Sequence, residues 1–479
     1  MKKMWGITLA VSLVVGTLSG CSEKSDSIPT TTELTPQAAS DASVIPAEDT
    51  ITALLPPISG QFLDRISEIE QEFNNLYPNL TLKIEPASWE DREQKLDTQV
   101  NAGSPPDIAF LDSNDIPKYV DMGVALDLTP YVTEEMLSDY DEAPLNYMKN
   151  GDGLYGFPAY MEIHGIGGNK QFLEAAGVDW KSIQTNGWTY DEFSKAAKAG
   201  TVVENGKTRY GFIFACSGSV ASNYIDIFAK AAGMPARFDE NLKYTYTSKN
   251  MLAILQGLRT MMDEGSAPKE LGSITSGMRW NMFVTGQTMM TGKGLATFEK
   301  MAADNNKKLQ ANDGTAVEDS IEVDYVILPV PSLAGTKPAY YAAVDGYVAF
   351  RGKKAPTKEH AENVAKAIYF LSSGKVSAQI NSELFSLPIT DSARKAAVAF
   401  PVERDENNLK AIEYLMENVA PARPDITVDL TAKAKKIEDE VIIPKFQALL
   451  ADEITAEEMH QEIVKAAINV FGEDGIVKD

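Results

Sequence analysis

Two cysteines in 479 residues, Cys21 and Cys216, cannot build a disulfide framework. Histidine is nearly as scarce: His164, His360 and His460 stand far apart, without the spacing of a histidine metal centre. No metal and no cofactor are therefore expected. Positive charge is also in deficit, with 44 Lys and Arg against 68 Asp and Glu and a formal net charge of −24. That sign opposes binding to nucleic acid or to anionic lipid headgroups, so no nucleic-acid partner is expected. The chain has no G-x-S-x-G elbow and no phosphate-cradling loop. Carboxylates are abundant, but none form an identifiable catalytic pair, so a glycan hydrolase stands only as the enzyme-class alternative. The acids of "ANDGTAVEDSIEVD" do not keep the spacing of a calcium loop, and the segment reads as a solvated insertion.

What is present begins with an apolar run. Lys2 and Lys3 precede an uncharged stretch from Trp5 to Leu18, followed by Ser19, Gly20 and Cys21. A basic start, an apolar middle and a small-residue exit make a secretory signal, too short for a comfortable spanning helix. The stretch resembles a bacterial lipoprotein signal, which implies cleavage after residue 20 and a lipid on Cys21 at the outer face of the cell membrane. Residues 22 to 49 are rich in Ser, Thr, Pro, Ala and acids, a composition that cannot repay chain ordering, so 21–49 is read as anchor and tether. A flexible chain of that length reaches roughly 30 Å. With Cys21 lipidated, Cys216 is left as small buried filler. The 430 or so residues that follow exceed what one core usually holds, so at least two lobes are expected.

The first ordered stretch alternates strand and helix. Ile51 to Leu55 has strand character, and Phe62, Ile66, Ile69, Phe73 and Leu76 recur at helical spacing before Pro78. Leu80, Leu82 and Ile84 alternate with polar residues as a second strand. Ser88 with Asp91 resembles a capping box for a helix closing at Gly103, and Ile108 to Leu111 is apolar throughout, as in a strand covered on both faces. This order predicts right-handed crossovers and a parallel sheet, with ligands held beyond the carboxyl ends of its strands. Later, Thr189 is placed to cap a helix bearing Phe193, Ala196 and Ala197, Asp345 and Gly346 interrupt an apolar strand, and Thr455 with Glu458 forms a second capping box.

Several segments taken in order, among them "YPNLTLKI", "AGSPPDIAFLD", "ALDLTPYV", "GLYGFPAY", "NKQFLEAAGV", "GWTYDEFSKAA", "FVTGQTMM" and "YVILPVPS", resemble the family 1 extracellular solute-binding proteins of ABC importers. The resemblance spans about residues 51 to 471. It implies an α/β fold of the periplasmic-binding-protein type: two α/β lobes joined by a multi-crossing hinge, with a ligand cleft between them. By likeness, residues 50–160 and 328–372 form one lobe, and 161–327 and 373–479 the other. It further implies a carbohydrate ligand, an ABC permease as partner, a membrane attachment through the lipid alone and a monomeric, non-enzymatic protein. A lipoprotein that senses solute for a signalling receptor would share the same fold.

The resemblance also nominates contacts. Maltose-type relatives place a sugar-binding glutamate where Glu162 stands, and a carboxylate accepts two vicinal hydroxyls well. Tyr160 and His164 alternate with Glu162 on an extended segment and so share its side. Trp89, after the second strand, is a stacking candidate, as are Trp280 and, in the other lobe, Tyr224. Asp112 ends the third strand, Ser59 lies in the turn after the first, and Asp345 and Tyr347 flank a glycine where backbone can approach a ligand. Arg423 in "PARPD" offers a bidentate donor. The maltose-type tryptophan after "GQTMMTGKG" is missing, since this chain reads "GLATFEK", so the sugar need not be maltose.

Overall fold

The computed structural model describes residues 48–88, 92–204 and 206–478, Ser219 by its backbone alone. Cys21 with the signal and tether, Trp89, and the Asp91 half of the first capping box lie outside the described residues.

Strand β1 (Asp49–Leu55) leads through helix α1 (Ile66–Leu76) to β2 (Leu80–Pro86), and α2 (Arg92–Ala102) leads to β3 (Ile108–Asp112) and α3 (Ile116–Asp121). Helix α1 forms because Ile69 and Phe73, one turn apart, bury the same face. In β2 the alternation is kept: Leu80, Leu82 and Ile84 are buried while Lys83 and Glu85 are exposed. All of β3 before Asp112 is buried. The first sheet is completed by β4 (Gly156–Ile163) and, from far along the chain, β10 (Ala342–Ala349), in the order β2-β1-β3-β10-β4. The expectation of a parallel sheet holds for β2, β1 and β3 and is corrected for the rest, because β10 runs antiparallel to both β3 and β4. These strands return from the other half of the molecule, which strand order in the first hundred residues could not reveal. The pairing of β10 with β4 shifts between Asp345 and Gly346. A Cβ on Gly346 would sit 2.4 Å from the Phe157 carbonyl oxygen, so only glycine fits that bulge.

The second sheet contains β5 (Gly165–Asn169), β6 (Val202–Glu204), β7 (Lys207–Ile213), β8 (Thr288–Gly294) and β9 (Tyr325–Leu328), in the order β9-β5-β8-β7-β6. The glycines of β5 are a packing requirement: a Cβ at Gly165 would meet the Leu328 oxygen at 2.6 Å. Helices α4 (Tyr190–Gly200), α5 (Ala221–Ala231), α6 (Ser276–Val284) and α7 (Ala296–Ala311) surround this sheet, and α8 (Lys358–Ser372) covers the first. The expected capping box of Thr455 with Glu458 forms at the start of the C-terminal helix Ala456–Phe471, and Thr189 caps α4 as expected, with Glu192 completing a box there as well. The architecture is thus two α/β lobes, and the chain passes between the sheets more than once. It crosses first through His164 alone, between β4 and β5, and returns between β9 and β10. Among the described residues no helix is long and apolar enough to cross a membrane.

Candidate ligand cleft

The carboxyl end of β3 carries the first part of the site. Asp345 of β10 is in register with Asp112 of β3 on one side and with Tyr160 of β4 on the other, a three-residue row across adjacent strands. The Tyr160 hydroxyl donates to Asp345 Oδ2 at 2.5 Å. Asn114 donates to Asp112 Oδ1 through its backbone N–H and its side-chain amide, both at 2.8 Å. Burial, reinforced by the neighbouring Asp112 charge, pushes the Asp345 carboxyl up to about 7. Burial raises Asp112 as well, against the Asn114 hydrogen bonds, and burial with the Asp112 charge lifts Asp115 to about 6. Asp345 therefore retains its proton close to neutrality, and the row offers both acceptors and a donor.

Two residues beyond Tyr160 comes Glu162, its side chain 27% exposed, with Oε2 3.7 Å from His164 Nε2. His164 is buried, donates its backbone N–H to the Tyr341 oxygen at 3.0 Å and stacks on the Tyr341 ring at 4.7 Å. The two crossing segments are thereby held together. Neither imidazole nitrogen has a hydrogen-bond partner among the described residues. Burial, aided by the Lys293 charge, lowers His164 to about 3, so the ring is neutral. Burial opposes ionisation of Glu162, but His164 and Lys293 outweigh it and its pKa falls below the usual value.

The facing wall comes from the second sheet. Arg279 of α6 is buried, donates to the Gly292 oxygen at 3.1 Å and lies 5.0 Å from the Phe298 ring centroid. Lys293 of β8 is half-buried, and its ammonium is lowered by burial while Glu162, Asp345 and Asp112 pull the other way. Lys230 of α5 is 5.6 Å from the Tyr341 ring centroid, and burial brings it down to about 8. One jaw is thus carboxylate-rich and the other cationic, with an aromatic ring at the hinge.

Asp112, Tyr160, Glu162, His164 and Asp345 are therefore brought into one region. Four other sequence-nominated residues are placed elsewhere. Tyr224 is fully buried, bonded to the Tyr190 hydroxyl at 2.9 Å and stacked on Phe228 at 4.3 Å, so it is core and not an exposed platform. Tyr347 is likewise fully buried, edge-on to Phe110 at 5.3 Å. Ser59 is buried and donates to Glu383 Oε2 at 2.5 Å, in a cluster where Arg65 also binds Glu383 at 2.7 Å. Arg423 donates to the carbonyls of Phe238 and Asp239 at 2.6 and 3.0 Å and pairs with Asp425 at 2.6 Å. Its donors are spent inside the protein. Trp280 is half-buried, 5.0 Å from Phe298, and Trp188 is buried, its indole N–H donating to the Pro329 oxygen at 2.7 Å. Cys216 is fully buried and burial raises its thiol pKa. A space beside β4, lined by Tyr160 and Glu162 together with Leu384, Leu387 and Ile412, holds about 20 Å³, the size of one water.

Sequence reasoning missed Lys293, Tyr341 and Arg279. Lys293 left a trace, as the single charge at the end of the apolar "TMMTGKG" strand. For Tyr341 the trace is the pair "YY", of which Tyr340 is buried and Tyr341 is not.

Two α/β lobes with a polar cleft at their crossing segments define a bilobal ligand-capture protein. A family model described as bacterial extracellular solute-binding protein matches residues 62–373, more than half the chain, and the chain belongs to that family. A putative binding protein of Brucella abortus is 28% identical over 145 residues, 30% of this chain and 34% of that protein. An arabinooligosaccharide-binding protein of Halalkalibacterium halodurans is 27% identical over 207 residues, 42% of this chain and 43% of that protein. The chain thus matches between a third and a half of the length of these relatives. In fold it is similar to an ABC substrate-binding protein from Listeria monocytogenes in complex with cycloalternan, with TM-score 0.65, 19% identity, and coverage of 90% of this chain and 100% of the other.

Proposed function

We propose that this protein is the ligand-capturing component of an ABC importer, held by a lipid on Cys21 at the outer face of the cell membrane. It binds a carbohydrate, an oligosaccharide, and hands it unaltered to a permease. The lobes are residues 50–160 with 328–372 and residues 161–327 with 373–479, each boundary movable by about ten residues. The observation that carries this reading is the Asp112, Asp345, Tyr160 row beside Glu162, facing Lys293 across the cleft. Such an array, an ionised Glu162 beside an Asp345 carboxyl that holds its proton near neutrality, offers acceptors and a donor to vicinal sugar hydroxyls, which donate and accept in alternation. The names of the Halalkalibacterium and Listeria relatives support the same ligand class and the importer role. Closure couples occupancy to the permease, because a ligand moves the open-closed balance only through better contacts with the closed form.

A thermal-shift screen of oligosaccharides tests the reading, since ligand at 100 times Kd adds about 2.7 kcal/mol of stability. Small-angle scattering at saturation is expected to show compaction, and mass spectrometry an intact guest. Stabilisation by amino acids or peptides alone, or a cleaved sugar, would refute the proposal.

A further inference from the structure

Lys293 is the unspent cation of the cleft. The carboxylates of Glu162 on β4, Asp345 on β10 and Asp112 on β3 all act on its ammonium, as does the Arg279 cation on α6. Among the described residues, however, none of these carboxylates approaches within the 4.0 Å of an ion pair, and the ammonium donates no hydrogen bond. Arg279 is engaged with the Gly292 oxygen, Lys230 with the Pro235 oxygen, Asp345 with Tyr160 and Asp112 with Asn114. A second observation points the same way. His164, beside Glu162, is 1% exposed and has both ring nitrogens unpartnered. A half-buried ammonium facing acids it does not touch, next to a buried imidazole without partners, leaves room for a polar guest between them.

We propose that Lys293 is the specificity-determining residue of the cleft, donating to an oxygen of an uncharged sugar while the three carboxylates opposite accept its hydroxyls, so that a sugar carrying a carboxylate is rejected. The inference rests on the carbohydrate reading above. The ionised Glu162 already acts on that ammonium, and Asp112 and Asp345 add further carboxyl groups to the same wall, so a uronate would bring a second negative charge against an acidic surface. A neutral hydroxyl fits between ammonium and carboxylate without adding charge.

The full chain is first screened against maltotetraose, arabinotriose and galactobiose, and the sugar that binds is then compared with the same sugar after its primary hydroxyls are oxidised to carboxylates. The acid form is expected to bind at least about tenfold more weakly, and K293M to lose at least about tenfold in affinity for the neutral sugar, the loss of one charge-assisted hydrogen bond. K293R should retain part of it. Without Lys293, the carboxyl groups of Glu162, Asp345 and Asp112 lose one of the cations that act on them, Arg92 and Arg279 remaining, so residual binding by K293M should fall more steeply with rising pH than that of the unsubstituted protein. A structural role alone would not move that profile. Equal or tighter binding of the acid form, or unchanged affinity and pH profile in K293M, overturns the inference alone. Silence of every sugar overturns the carbohydrate reading and this inference with it.

Discussion

At the opposite end of the parallel strands from the cleft, His360 in the first turn of α8 is gripped by two aspartates. Nδ1 lies 2.9 Å from both oxygens of Asp49 and Nε2 lies 3.1 Å from Asp107 Oδ1. Asn363 supports Asp49 at 2.9 Å, and Thr52 donates twice to Asp107 at 2.8 Å. The imidazolium thus ties the start of β1, the entry to β3 and the covering helix. The hydrogen bond with Asp107, joined by that with Asp49, outweighs burial and raises His360 from 6.5 to about 9. Because the folded value lies above the unfolded one, the stabilisation is complete below pH 6.5 and is lost as pH climbs through 9. At 1.36 kcal/mol per pKa unit the full effect is about 3 kcal/mol, reduced to about 2 because the ring is 24% exposed. Urea unfolding of the wild type and H360N across pH 6 to 10 should show a stability gap of about 2 kcal/mol at pH 6.5 that nearly closes by pH 9.5. With only three histidines in the chain, NMR of histidine-labelled protein reads the titration directly. His360 should titrate near 9 while His164, held at about 3, stays neutral throughout. A His360 midpoint near 6.5, or a gap independent of pH, would refute the reasoning.

Glu383 binds Ser59, the Gln61 N–H and Arg65, whose side chain is 9% exposed. E383A strands that guanidinium and should lower stability by about 3 kcal/mol in urea titrations; a change below about 1 kcal/mol would mean that water replaces the carboxylate. R423A loses the bonds to the Phe238 and Asp239 carbonyls and should be destabilised by about 1 to 2 kcal/mol while sugar affinity is kept. A tenfold loss of affinity by calorimetry would return Arg423 to the cleft. Cys216, fully buried with a raised thiol pKa, should resist Ellman's reagent in the native protein and react in urea. Prompt native reaction would contradict that burial.

Local signals survived folding because their partners lie within a few residues. Thr189 with Glu192 and Thr455 with Glu458 need only one helical turn to make their capping boxes. Glu162, His164 and Tyr160 were legible together because strand alternation alone fixes their common side. Asp112 and Asp345 could each be nominated from a strand end or an interrupted strand, but their pairing required β10 to return from more than two hundred residues away. The errors have the same origin. Tyr224 sits on an amphipathic helix where an aromatic ring can face ligand or core, and Tyr190, Phe228 and Phe446, each distant in sequence or one turn away, decide for core. Arg423 is a generous donor in any sequence, and only the approach of the Phe238 carbonyl, 185 residues away along the chain, claims it. Lys293 escaped notice for the converse reason. A lysine at the end of a strand is ordinarily solvated, and this one gains meaning only from acids contributed by the opposite sheet. A cleft between lobes is assembled from charges that have no local partner. The residues that sequence leaves unexplained, lone charges bordering apolar strands, are therefore the ones to carry forward when a bilobal fold is expected.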